Sequence, residues 1–283
     1  MTGIKSPTVR HRRLARELRK HRERAGLTTE AASDQLGWSR SKLVRFEAAR
    51  TRPTAADVHA ALDLYGADMT ERAALAELAR QARQRGWWTA YSDVFQSSYV
   101  ALEDEASAIS SWQTSHIPGL LQTEGYAHAL LGSGIRQESA NDLDRRVQAR
   151  IARKALLVRS AAPTLHAILD ESVLRRGLET EVMREQLLAL GSAARRPNVT
   201  IQVLPYSTGM HPGLTSSFVV FDYEEQEDLS VGYVESVGGE IYLESAPDVR
   251  DIKLRFDTIR RAALPPEESV EFIAAVMKER PSV

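Results

Sequence analysis

Gly26, Gly37, Pro53 and Gly66 cut the beginning of this 283-residue chain into short pieces. Within each piece the apolar residues recur at helical spacing, and the helical stretch they mark is no more than about five turns. Helices that short are marginal alone and hold only by burying an apolar stripe against neighbours. The first 85 residues are therefore constrained to a small all-helical domain.

Each piece reads locally. Leu14, Leu18 and Ala25 share a face with His21, read as a packed histidine, and Gly26 ends that helix. Thr28 caps TEAASDQL, with Ala32 and Leu36 inward, and Gly37 supplies the turn. Ser39 caps RSKLVRFEAA, whose Leu43 and Phe46 face inward while Arg40, Ser41, Lys42 and Arg45 face outward. Pro53 blocks further helix. Thr54 and Asp57 have capping-box spacing ahead of Val58, Ala61, Leu62 and Tyr65. A fifth helix starts at Asp68 or Thr70 and runs through Leu75, Leu78, Ala79 and Ala82 to Arg85. A helix, a tight turn and a second helix with polar groups exposed is the helix-turn-helix unit, whose second helix enters the DNA major groove.

Charge points the same way. The chain has net charge -1, yet residues 1–52 hold fourteen Lys/Arg against five Asp/Glu. Residues 1–85 carry +8 and the remainder -9. A basic head on an acidic body calls for an anionic partner such as nucleic acid. The competing reading of the charge alone is a solvated basic face. Residues 1–13 are expected to be a flexible basic tail.

LTTEAASDQLGWSRSKLVRFEAARTRP, within residues 14–65, resembles the Xre-type helix-turn-helix of bacterial repressors. The shared pattern is GLT, an alanine-rich second helix, LG-x-S, a basic third helix, Glu, and Pro six residues later. The resemblance implies that Arg40, Ser41, Lys42 and Arg45 lie at DNA, and that Arg22 pairs with Glu47 inside the domain. Ser39 joins the DNA-binding set. Thr28, Thr29, Arg50 and Arg52 are expected to hold phosphates. Three positions depart from the family: Thr29 replaces Gln, Ser33 replaces Ala, and Ala49 replaces Gly. The turn at Ala49 is expected to be made without easy access to positive φ.

After Arg85 the pattern changes. SSYVALEDEASAISSWQ is expected to be a helix, HIPGLL a turn, QTEGYAHALL a helix interrupted by Gly125, and NDLDRRVQARIARKALLVRS a long amphipathic helix. Period-two segments then predict strands at Thr164–Ser172, Val199–Ser207, Ser217–Tyr223, Ser230–Ser236 and Glu240–Ser245. EVMREQLLALGSAA is helical, QED and GG make turns, and two helices close the chain. The fold class is α+β: an all-α five-helix helix-turn-helix domain (14–85), then a larger α+β domain (86–283) with a mainly antiparallel sheet.

This larger part also resembles a known family. WW, SSWQTSHIPGLLQTEGYA, ILDESVLRR, QVLP, HPG and YLES, across about residues 86–270, are similar to a C-terminal domain of unassigned function. That domain follows Xre-type helix-turn-helices in actinobacterial (WhiJ-like) regulators. The resemblance implies a regulator of development or secondary metabolism, with a small companion protein encoded nearby as partner.

No catalytic pattern emerges. Asp170 and Glu171 are adjacent, so on a strand they would point to opposite faces. The histidines have no HExxH or i,i+4 spacing, and no GxSxG or phosphate-cradling loop occurs. Neither a metal nor a cofactor is expected. Trp87, Trp88, Trp112, His116 and His211 are the candidates for a pocket or partner surface; packing and turn formation are the competing readings. No apolar run suits a membrane span, and the N-terminus lacks a signal-peptide core. With no cysteine, the chain fits a reducing cytoplasm.

The expected function is a cytoplasmic, non-enzymatic transcriptional regulator binding double-stranded DNA as a homodimer. Its acidic domain would dimerise, sense a small-molecule ligand or bind the companion protein. The alternative is an antitoxin-like module whose main role is binding that companion.

Overall fold

The computed structural model describes residues 9–83, 87–95, 98–134, 139–224 and 230–279. It divides between Ala90 and Tyr91 into two compact units.

The first unit holds α1 (Val9–Arg24), α2 (Thr29–Gln35), α3 (Arg40–Glu47), α4 (Ala55–Leu64) and α5 (Met69–Arg83). Leu14, Leu18, Ala32, Leu43, Val58 and Leu62 converge in one core. The expected caps form. Thr28 Oγ1 accepts from Ala31 N at 3.1 Å, Ser39 Oγ accepts from Lys42 N at 3.2 Å, and Thr54 with Asp57 makes a reciprocal capping box. Before α5, Asp68 and Glu71 exchange the same kind of bonds, at 2.8 and 3.1 Å.

Two expectations need correction here. Helix α1 begins at Val9, so residues 9–13 are not tail; His11 is buried and lies 3.1 Å from the Thr51 carbonyl, which anchors the first turns. Residues 1–8 of the expected tail, and the expected helix end at Arg85, lie outside the described residues. At Ala49 the turn does use positive φ, at 51°. Arg50 N bonds Arg45 O at 2.8 Å and Ala49 N bonds Phe46 O at 3.0 Å. This is a Schellman closure, which demands the left-handed conformation at that position whatever residue occupies it.

The second unit is built on a six-stranded sheet. Its strands are β1 (Ala108–Gln113), β2 (Thr164–Asp170), β3 (Val199–Leu204), β4 (Phe218–Asp222), β5 (Val231–Ser236) and β6 (Gly239–Leu243). Their order is β3-β2-β1-β4-β5-β6. Strands β1, β2 and β3 run parallel, while β1-β4-β5-β6 are joined antiparallel. The late meander follows the period-two pattern. The GG turn joins β5 to β6, whereas the QED turn lies outside the described residues.

The helices are α6 (Tyr99–Glu105), α7 (Glu124–Gly132), α8 (Ala140–Ala152), α9 (Glu171–Arg175), α10 (Thr180–Ala193), α11 (Ala246–Ala262) and α12 (Pro266–Glu279). Trp112, Ile168, Val220, Ile252, Phe256 and Ile259 share a core between sheet and α11. Helix α12 meets β3, where Val203 N donates to Ser269 Oγ at 2.9 Å. Among the described residues no helix is long and apolar enough to cross a membrane.

The main correction is β1. The helix expected across SSYVALEDEASAISSWQ stops at Glu105, and AISSWQ is a central strand. Its partners bury Ile109, Ser111, Trp112 and Gln113, so both faces are covered and period-two alternation is lost. Other boundaries shift for local reasons. Strand β2 ends at Asp170 because its carboxylate caps α9, accepting from Ser172 N at 2.9 Å. Gly125 does not interrupt α7: it sits in the first turn, with its Cβ direction facing Val182 at 3.6 Å. The long helix from Asn141 ends at Ala152 and continues as a 3-10 turn through Leu157.

Candidate nucleic-acid interface

Helix α3 carries the candidate interface. At about 100° per residue, Arg40, Ser41, Val44 and Arg45 fall on one face, and all four are exposed. Leu43 and Phe46, on the opposite side, are buried in the helical core. The face is thus held by two apolar anchors while its polar residues meet solvent. Val44 is 43% exposed. The expected set omitted it because an apolar residue normally reads as core, yet its spacing from Arg40 placed it on this face.

The remaining expected contacts have distinct placements. Arg40 pairs with Glu30 on α2 at 2.9 Å, but both side chains are largely exposed, so the pair is readily exchanged for another anion. Thr28 is exposed and Thr29 half-buried at the start of α2. Ser39 is exposed beside the first turn of α3, and Arg50 and Arg52 are exposed after it. Arg45 is exposed and forms no ion pair among the described residues.

Lys42 departs from the expected outward position. Its Nζ is 2.6 Å from Asp57 Oδ1 on α4 and 4.1 Å from the Trp38 ring centroid. Trp38 in turn meets Phe46 edge to face at 5.7 Å. Lys42 therefore ties α3 to α4, with its Nζ also over the Phe46 ring at 5.5 Å. Partial burial works to raise the Asp57 carboxyl, but bonds from Lys42 and Thr54 outweigh it and hold it below the ordinary carboxylate range.

Arg22 pairs with Glu47, as the family pattern implied. Arg22 Nε and Nη2 donate to the two carboxylate oxygens at 2.7 and 2.9 Å, and Nη1 donates to Leu27 O at 2.7 Å. The Glu47 hydrogen bond raises the guanidinium pKa against the effect of burial. Glu47 is thus spent internally, which leaves the outer face of α3 positive. Such a face can read base edges: guanidinium to guanine, hydroxyl to either class of base, and valine methyl to thymine methyl.

The other candidates fall in different settings. Trp112 is fully buried and donates Nε1–H to Gly213 O at 2.9 Å. His211 meets it edge to face at 5.4 Å, and its Nδ1 accepts from Gly213 N–H at 3.2 Å. Trp112 thus packs in the core, and His211 helps to form the turn at Gly213. Gly213 is required, since a Cβ there would lie 2.7 Å from the Trp112 ring. Trp87 and Trp88 meet edge to face at 6.3 Å in a 3-10 turn. His116 does line a cavity. Asp170 and Glu171 are occupied in local structure: Asp170 caps α9, and Glu171 accepts from Arg175 and from Tyr206 N at 2.8 Å. Among the described residues no group of three or more His, Asp or Glu could hold a metal ion.

Neither the curated proteins nor the solved structures compared with this chain include a match. Residues 13–75 match the family model described as a helix-turn-helix domain. Residues 96–275, more than half of the chain, match the one described as a domain of unknown function, DUF5753. Because that second match covers more than half of the chain and follows the helix-turn-helix region, the chain belongs to the DUF5753 family.

Proposed function

We propose that the chain is a sequence-specific DNA-binding transcriptional regulator that acts as a homodimer. The observation that carries this reading is the face of α3. Arg40, Ser41, Val44 and Arg45 are exposed together on a helix anchored by Leu43 and Phe46, inside the region matching a helix-turn-helix domain. In this reading Arg45 and Ser41 contact base edges, while Thr28, Thr29, Arg50 and Arg52 hold phosphates. The acidic unit dimerises, senses a small molecule or binds a small companion protein, and catalysis is no part of its role.

Selection from random double-stranded DNA with the purified full chain tests this. The expected outcome is one enriched motif with two half-sites separated by about one helical turn, roughly 34 Å, or a multiple of it. Affinity should fall steeply with salt as contacted phosphates regain counterions. Failure to enrich any motif overturns the reading. A tight complex with the companion protein, without a preferred site, would favour the interaction-module alternative.

A further inference from the structure

The second unit contains a cavity of about 760 Å³, within the roughly 300–1,000 Å³ that holds a drug-sized molecule. Its position follows from the sheet. Strand β1 is where strand sense changes, being parallel to β2 and antiparallel to β4. Thr114 and His116, leaving β1, and Ser216, entering β4, line the cavity. It therefore lies beyond the carboxyl end of a strand at a switch in the sheet, where open α/β sheets place ligands.

Helix α8 brings Arg146 and Arg150 to the wall one helical turn apart, and Arg153 follows. Arg153 has a partner: Glu103 accepts from Nε and Nη2 at 2.8 and 2.7 Å in a buried pair. Arg150 has none of that kind. It donates to the Gln122 side-chain oxygen at 3.3 Å and forms no ion pair among the described residues. Burial, then Arg153 and Arg146, pull its pKa down to about 10. The cavity carboxylates Glu235 and Glu240 are exposed.

Other groups complete the wall. Burial, then Arg150, lowers the pKa of His116, so it faces the cavity as a neutral ring at pH 7. Gln113 lines the cavity with a buried Oε1 that has no hydrogen-bond partner. Phe95, Tyr99 and Phe218 add apolar surface. Tyr99 and Glu235 oppose the lowering at Arg150 only in part, so a half-buried guanidinium with one long side-chain hydrogen bond stands open to an anionic ligand.

We propose that this cavity binds a small organic anion, a carboxylate or phosphate monoester with an apolar body, gripped through Arg150 and Arg146. The inference gives the ligand-sensing branch of the regulator reading a chemical class, and it rests on that reading only for any effect on DNA.

Calorimetric titration of the full chain, without DNA, uses 1-naphthoate, 1-naphthyl phosphate and neutral 1-naphthamide. At least one anion is expected to bind, more tightly than the amide, and the better anion tells carboxylate from phosphate chemistry. Arg150→Met should weaken that anion at least about tenfold. Binding by neither anion, equal binding of the amide, or unchanged affinity in Arg150→Met overturns the proposal. If Arg150→Met does not fold, Arg146→Gln decides: anion affinity lowered at least about threefold supports the site, and unchanged affinity removes it. An anion that binds without altering DNA affinity leaves the site standing and removes only ligand sensing.

Discussion

Arg22 on α1 and Glu47 in the last turn of α3 form a two-bond ion pair whose side chains are only 8% and 9% exposed. The pair joins the first helix to the end of the helix that presents Arg45. It ties the two helices together without taking part in that face, so its loss acts on stability first. Glu47→Ala strands a buried guanidinium and should destabilise the first unit by about 3 kcal/mol. Urea unfolding of both single variants and of Arg22→Met/Glu47→Ala checks this. The double variant should be more stable than the sum of the singles implies.

Ala49 occupies a left-handed backbone position, at φ 51°. An L-residue with a Cβ is strained there by about 1–2 kcal/mol, whereas glycine is not. Part of that gain is returned through the greater entropy of glycine in the unfolded chain. Ala49→Gly should therefore stabilise the first unit by about 0.5–1 kcal/mol without changing DNA affinity. A lower midpoint of thermal unfolding would contradict the Schellman assignment.

Lys42 and Asp57 predict a pH effect. The Asp57 carboxyl is held below its ordinary range, so its stabilising contribution is full above the unfolded value of about 3.9 and fades as pH falls through the lower folded value. At pH 6, Asp57→Asn should lose about 1 kcal/mol. The gap from the parent should narrow steadily below about pH 4. Lys42→Ala should lower stability yet keep the base preference. Thermal unfolding between pH 3 and 7, with binding measured at pH 7, tests both halves.

Arg45 and Arg50 should differ in kind. Arg45→Ala is expected to cost about 1–3 kcal/mol on the selected site and to relax preference at one base pair. Arg50→Ala should weaken every sequence alike and reduce the salt slope by about 1. Titrations on selected and scrambled duplexes at several salt concentrations separate them. Equal losses on both duplexes for Arg45→Ala would remove it from the base-reading set.

Gly213 bears on the second unit. A Cβ would lie 2.7 Å from Trp112 Cε2 and 2.8 Å from Ile259 Cδ1, both fully buried groups. Gly213→Ala should cost about 1–3 kcal/mol through overpacking. The melting temperature reports that cost, and tryptophan fluorescence reports the displaced ring.

Much of the first unit was legible because its information is local. Gly26, Gly37 and Gly66 all adopt positive φ where the punctuation marked turns. Thr28, Ser39 and Thr54 cap the helices that follow them. Each depends on neighbours a few residues away, so spacing alone specifies it. Leu43 and Phe46 followed from the helical period, and that assignment exposed the Arg45 face.

What escaped the sequence depends on distant partners. AISSWQ keeps apolar residues at helical intervals and becomes a strand only because β2 and β4 bond both its edges. Lys42 looked like its basic neighbours until Asp57, fifteen residues on, proved to be its partner. The cavity joins α8 to the ends of β1 and β4, segments that no short period links. Sequence by itself determined the first unit's helices, their caps and the face of α3, since those rest on local backbone geometry. Tertiary structure decided which charges are spent and which remain exposed, because pairing and desolvation are set by contacts between segments far apart in the chain.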